Sequence, residues 1–168
     1  MSATQAPFEE LVLPNLDAAY NLARWLAGND HDAADIVQEA CLRAHRFGAG
    51  YRGGNSRAWL LAIVRNTAFS WLKKNRPQAV VSISDEELAE IEDPAGSPAF
   101  DRVDAGVLRA ALEALPAEFR EALVLRELEG LSYKEIAGVA DVPIGTIMSR
   151  LARARRDLQT YLQRKGNV

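Results

Sequence analysis

The chain has 168 residues, 48% of them apolar, and a formal net charge of −3. That is enough apolar material for one domain or two small ones, and the charge excludes a uniformly basic, indiscriminate polyanion binder. A lone cysteine, Cys41, excludes an internal disulfide and suits a reducing compartment. No apolar run approaches the roughly 18 residues of a membrane span. The start, MSATQAPFEE, lacks the basic and apolar regions of a signal peptide, so a soluble protein of the cytoplasm is expected.

Periodicity predicts helix nearly throughout and no strand, hence an all-α fold. Phe8–Leu26 has helical spacing, with Pro14 set to break or kink its first turns. Asn29 or Asp30 is placed to cap a second helix reaching about Phe47. Its expected inner face is Ile36, Val37, Ala40, Ala44 and Phe47, with Asp32, Asp35 and Glu39 outward. GAGYRGGN, with four glycines in eight residues, reads as a loop. Asn55 or Ser56 then caps a long helix to about Arg76, with Trp59, Ile63, Val64, Thr67 and Trp71 inward. Asn66, Phe69 and Lys73 recur on the other face as an exposed contact stripe.

Residues 78–100, with Pro94, Gly96, Pro98 and a cluster of acids, read as an acidic linker that has room for a short helix at Asp85–Glu92. Helices resume at about Phe100–Leu115 and Pro116–Leu128, and Gly130 is placed as a stop. Ser132 and Glu135 stand in capping-box spacing. Asp141-Val142-Pro143 ends the helix they begin, and Pro143 suits the first position of the next. In that last helix Ile144, Ile147, Leu151, Ala154 and Leu158 share one stripe, and Thr146, Ser149, Arg150 and Arg153 lie opposite. Small polar side chains and arginines on the second of two helices joined by a tight turn are what entry into a DNA major groove requires.

Charge alternates along the chain. Residues 1–42 carry seven acids and one base, and residues 43–76 carry eight bases and no acid. Residues 84–104 carry eight acids and one base, and residues 141–168 carry six bases and two acids. Two basic blocks separated by an acidic one predict two binding surfaces on two modules. The first basic block is interleaved with Phe47, Tyr51, Trp59, Phe69 and Trp71, the composition of a single-strand binding surface. Helical spacing assigns Trp59 and Trp71 to the core, whereas Tyr51, in the loop beside Arg52, has no obvious partner for burial.

The succession DAADIVQEACLRAHRF, RAWLLAIVRNTAFSWLKKNR and LPAEFREALVLRELEGLSYKEIAGVADVPIGTIMSRLARARRDL resembles the extracytoplasmic-function (ECF) group of bacterial sigma-70 family sigma factors. The resemblance covers nearly the whole chain outside the linker. It implies two small helical domains: region 2 in residues 1–77 and a helix-turn-helix region 4 in residues 101–168, joined by the acidic linker 78–100. It further implies three partners, namely core RNA polymerase, promoter DNA through its −10 and −35 elements, and an anti-sigma factor.

By the same resemblance, Asp32, Asp35, Gln38 and Glu39 match the motif that docks on the clamp coiled coil of core polymerase. The loop Gly48–Arg57, holding Tyr51, Arg52 and Asn55, matches the segment that captures a flipped −10 base. Asn66, Phe69 and Lys73 lie on the helix that faces the melted strand, and Thr146, Ser149, Arg150 and Arg153 match −35 positions. Whether the two arginines read guanines or hold phosphates stays open at this stage. Two residues depart from the pattern: Ser70 stands where Asp is usual, and Met148 where a basic residue is frequent.

Two rival readings are weaker. A plain helix-turn-helix regulator leaves the motifs of the first module unexplained. A sigma-like mimic that titrates an anti-sigma factor has no need of a DNA face, yet Tyr51, Arg52, Arg150 and Arg153 are present. His31, Cys41 and His45 share one helix, but their spacing favours a core cysteine over a metal site. No nucleophile–base pair or phosphate loop occurs, so no catalytic residue, metal or cofactor is expected and the chain is not read as an enzyme.

Overall fold

Every regular element is helical among residues 7–47, 51–80 and 104–165, which are the residues that the computed structural model describes. They belong to two compact units, one made mainly of residues up to Pro77 and the other mainly of residues beyond it.

In the first unit, α1 (Phe8–Val12) runs through a 3-10 turn, Leu13–Asn15, into α2 (Leu16–Ala27). Pro14 sits in that turn, where its missing N–H interrupts the helical spacing as expected. Asn15 Nδ2 donates to the Leu11 carbonyl at 2.8 Å and to Ser56 Oγ at 3.1 Å, tying the turn to the head of the fourth helix. Asn29 begins α3 (Asp30–Phe47) by accepting the Asp32 N–H at 2.9 Å. Asn55 caps α4 (Ser56–Asn75) by accepting the N–H groups of Arg57 and Ala58 at 3.0 and 3.2 Å. Helices α2, α3 and α4 pack on one another around Leu22, Leu26, Ile36, Leu60, Leu61 and Leu72.

The inner face of α4 differs from the expected one. Leu60, Leu61, Val64, Thr67, Ala68, Phe69 and Leu72 are buried, whereas Trp59, Ile63 and Trp71 are only half-buried. Because α4 packs against α1, α2 and α3 at once, its buried arc is wider than a single stripe and takes in Phe69. The broad indoles sit at the edges of that arc, as large rings commonly do. Val37 is half-buried, and Phe47, the last residue of α3, lies beyond the core and is 60% exposed.

In the second unit, Asp104 caps α5 (Ala105–Glu113) by accepting the N–H groups of Gly106 and Val107 at 2.9 and 3.2 Å. Helix α6 (Ala117–Leu123) continues into a π turn, Val124–Leu128, and stops at Gly130, whose φ of +67° lets Leu131 N–H return to the Leu125 carbonyl at 3.0 Å. Two further helices follow, α7 (Tyr133–Ala140) and α8 (Ile144–Arg164). The capping box forms in both directions: Ser132 N–H donates to Glu135 Oε1 at 3.0 Å, and Glu135 N–H donates to Ser132 Oγ at 3.1 Å. Asp141, at φ +56°, turns the chain into Pro143 and α8.

Helices α5 and α6 pack against α8, which buries Ile147, Leu151, Ala154, Leu158 and Leu162. Ile144, expected on that stripe, is 43% exposed because it precedes the packed stretch. This unit also buries charge that hydropathy did not reveal. Arg120 donates to the carbonyls of Glu113 and Leu115 at 3.0 and 3.1 Å, satisfying the end of α5, and Arg155 reaches Glu127 at 3.4 Å. The expected helix at Asp85–Glu92, the linker acids, the Phe100 helix start and Gly48–Gly50 lie outside the described residues. No described helix is long and apolar enough to cross a membrane.

Candidate nucleic-acid interface

On α3, Asp35, Gln38 and Glu39 are exposed and share one side of the helix. Asp35 stands 3.8 Å from His31, and Glu39 accepts from Arg43 Nε at 3.2 Å. Asp35, Glu39, Arg43, Trp71 and Lys74 line a groove of about 240 Å³ between α3 and α4. Asp32, expected outward with them, is half-buried. Its Oδ2 accepts from Asn29 Nδ2 at 2.6 Å and from Arg76 Nη2 at 3.3 Å. Arg76 also donates to the Ala27 carbonyl and lies 5.1 Å from the Trp71 ring centre, so the end of α4 supplies the cation that turns Asp32 inward.

Cys41 is half-buried, which raises its thiol pKa above the ordinary value, and His45 meets the Phe8 ring edge-on at 5.1 Å.

Tyr51 has the partner that its loop position did not suggest. Its ring meets Trp59 edge-on at 5.6 Å, and its hydroxyl donates to the Gly54 carbonyl at 2.5 Å. Gly53 and Gly54, at φ +91° and +84°, make the bend that allows this contact. Arg52 is exposed beside it, and the Asn55 side-chain oxygen is committed to capping α4. Asn66 and Lys73 are exposed on α4, as expected. Phe69 is not: it is 4% exposed, and the Arg65 guanidinium covers its ring at 4.0 Å. The exposed row on this face is therefore Asn66, Ser70 and Lys73, with Arg65 beside it. Arg65 escaped the sequence reading because only the burial of Phe69 brings it over the ring.

On α8, Thr146, Ser149, Arg150 and Arg153 are half-buried rather than fully outward. Ser149 Oγ donates to the Gly145 carbonyl at 3.0 Å. Arg150 Nη1 is buried with no acceptor. Arg153 Nε donates to both carboxylate oxygens of Asp157, at 3.1 and 3.0 Å, and its guanidinium lies 6.0 Å from the Phe119 ring centre. The spacing of four between Arg153 and Asp157 was the available signal for this pair. Gly145, Met148 and Arg156 are exposed on the same helix.

Residues 11–78 match the family of sigma-70 region 2, and residues 105–158 match that of sigma-70 region 4. The chain is 38% identical over 168 residues to the ECF RNA polymerase sigma factor SigE of Mycolicibacterium smegmatis, covering 98% of this chain and 65% of that protein. It is 35% identical over 167 residues to the RNA polymerase sigma-H factor of Pseudomonas aeruginosa, covering 93% of this chain and 86% of the other. It also resembles the solved sigma factor RpoE of Bartonella quintana, determined in complex with the anti-sigma factor NepR. That likeness has a TM-score of 0.71 and 29% identity, over 93% of this chain and 96% of the other. With both family regions present in order on an all-helical chain, and identity of this extent to named ECF factors, the chain belongs to the ECF sigma factors of the sigma-70 family.

Proposed function

We propose that the chain is an alternative sigma factor that brings core RNA polymerase to its own promoters and starts their melting. The observation that carries this reading is a capped helix-turn-helix whose second helix bears Thr146, Ser149, Arg150 and Arg153, on the same chain as the exposed Asp35, Gln38 and Glu39 face. Residues 1–77 act as the polymerase-binding and −10 domain, 78–100 as the linker, and 101–168 as the −35 domain.

Asp35, Gln38 and Glu39 present carboxylates and an amide to a basic polymerase surface, and Asp32 holds α3 in place through Arg76. Tyr51 offers an aromatic face to an unstacked base; Arg52, Asn66 and Lys73 attract the strand, while Asn55 and Phe69 fix the helix that presents them. On α8, Arg150 has a further reason to engage phosphate. A buried guanidinium nitrogen without an acceptor costs roughly 1–3 kcal/mol, which rotation onto a phosphate oxygen relieves. Bond making in RNA belongs to the polymerase, so the chain itself is no enzyme. An anti-sigma factor is its expected cytoplasmic regulator, in keeping with the Bartonella complex.

The test is run-off transcription with purified core polymerase on a genomic fragment library, with and without the chain. Discrete new start sites sharing an upstream motif are expected. Clean binding to core without any initiation would instead identify a mimic, and no binding to core would refute the proposal.

A further inference from the structure

The first two turns of α8 carry an apolar pair that the core does not use. Ile144, Met148, Leu151, Arg155, Leu158 and Leu162 follow one another at spacings of three or four along a single side of the helix. The last four are buried, whereas Ile144 and Met148 are 43% and 52% exposed. The stripe therefore runs out of protein at the helix start. Around the pair the helix presents Gly145, Thr146 and Ser149, and residues 142–156 contain no acid. Apolar contact in a small-residue, acid-free setting suits a wet, negatively charged groove better than the apolar face of another protein.

We infer that Met148, with Ile144 beside it, reads the 5-methyl group of a thymine in the major groove of the −35 element. The inference rests on the proposed promoter-binding role of this helix. In helix-turn-helix docking, the N-terminal residues of the second helix meet the base edges. Thymine is the one base that shows a methyl group there, and it is recognised by apolar contact. Met148 is long and unbranched enough to reach across Gly145, which offers no side chain to block it. Specificity at this point comes from a methyl contact where a basic side chain would have held a phosphate or a guanine.

The experiment uses holoenzyme assembled from the full chain and core polymerase, on a promoter taken from the run-off screen. Each −35 thymidine is replaced singly by deoxyuridine, which removes only the methyl group. At one position the replacement should weaken wild-type binding roughly fourfold, the worth of one methyl taken out of water. Met148→Ala should bind the normal promoter more weakly and be indifferent to that replacement, while Met148→Leu should keep its sensitivity. Arg150→Ala should bind more weakly yet stay sensitive. Wild-type indifference at every thymidine, or a Met148→Ala variant that stays sensitive, would overturn the methyl contact and leave the sigma role standing. Failure to initiate on any fragment would overturn both.

Discussion

Arg76 Nη2 reaches the Asp32 carboxylate at 3.3 Å, joining the end of α4 to the first turn of α3 across 44 residues of sequence. The same guanidinium holds the Ala27 carbonyl at the end of α2, so three helix termini meet on one side chain. Asp32 thus differs in kind from Asp35 and Glu39, although all three are acids on one helix. Substituting Asp32→Asn or Arg76→Ala should lower the stability of the first unit by about 1–3 kcal/mol, because a part-buried charged group loses its partner. Asp35→Asn and Glu39→Gln should leave thermal unfolding within about 0.5 kcal/mol of wild type while weakening association with core polymerase. Differential scanning calorimetry beside a core-binding titration checks both halves. Equal stability losses in the two groups would contradict the division.

Phe69 and its neighbours on α4 separate in the same way. Phe69→Ala should destabilise the chain by about 3–5 kcal/mol, the usual loss for a buried phenyl ring. Lys73→Ala should leave folding unchanged, weaken DNA binding on all sequences alike, and lower the salt slope by about one. Chemical denaturation and binding at three salt concentrations distinguish the roles. A Phe69→Ala chain of normal stability with impaired promoter opening would restore Phe69 as a base contact.

Local signals carried the sequence reading far. The break at Pro14, the stop at Gly130 and the Ser132–Glu135 box depend on residues within a few positions and formed as read, and of the paired cap candidates the structure uses Asn29 and Asn55. Facing was harder. A helix packed on one side shows its inner stripe, but α4 packs against three helices and its wide buried arc hid Phe69. Long-range pairs were invisible for the same reason: nothing near Asp32 in sequence announces Arg76, and nothing near Tyr51 announces its ring contact with Trp59. In the second unit the buried Arg120 and Arg155 look like surface charge until carbonyls and Glu127 are placed beside them.

Burial raises the Cys41 thiol pKa above its ordinary value, so the folded chain holds the proton more tightly than the unfolded chain. The sign follows. This stabilisation is fully present below the ordinary thiol pKa and is lost as pH rises through the folded value, so Cys41 adds no pH dependence near neutrality. Iodoacetamide at pH 7.5 should therefore label the native chain several-fold more slowly than the chain in urea, since the thiolate is the nucleophile. Equal labelling rates would show an open, ordinary thiol.

Arg153 and Asp157 make the most consequential pair on α8. Because Nε donates to both carboxylate oxygens, Asp157 restrains the Arg153 side chain against one side of the helix. If this helix takes the proposed −35 role, a restrained guanidinium favours bidentate reading of a guanine over loose phosphate contact. Asp157→Ala removes the orienting group while keeping the cation. It should therefore raise affinity for unrelated DNA through the lost negative charge, yet reduce discrimination between the promoter and a single-base −35 variant by about 1 kcal/mol. Arg153→Lys should show the same loss of discrimination, because an ammonium cannot present two fixed donors. Competition binding of both holoenzymes on matched and mismatched −35 duplexes decides the matter. Unchanged discrimination in both variants would assign Arg153 to the phosphate backbone.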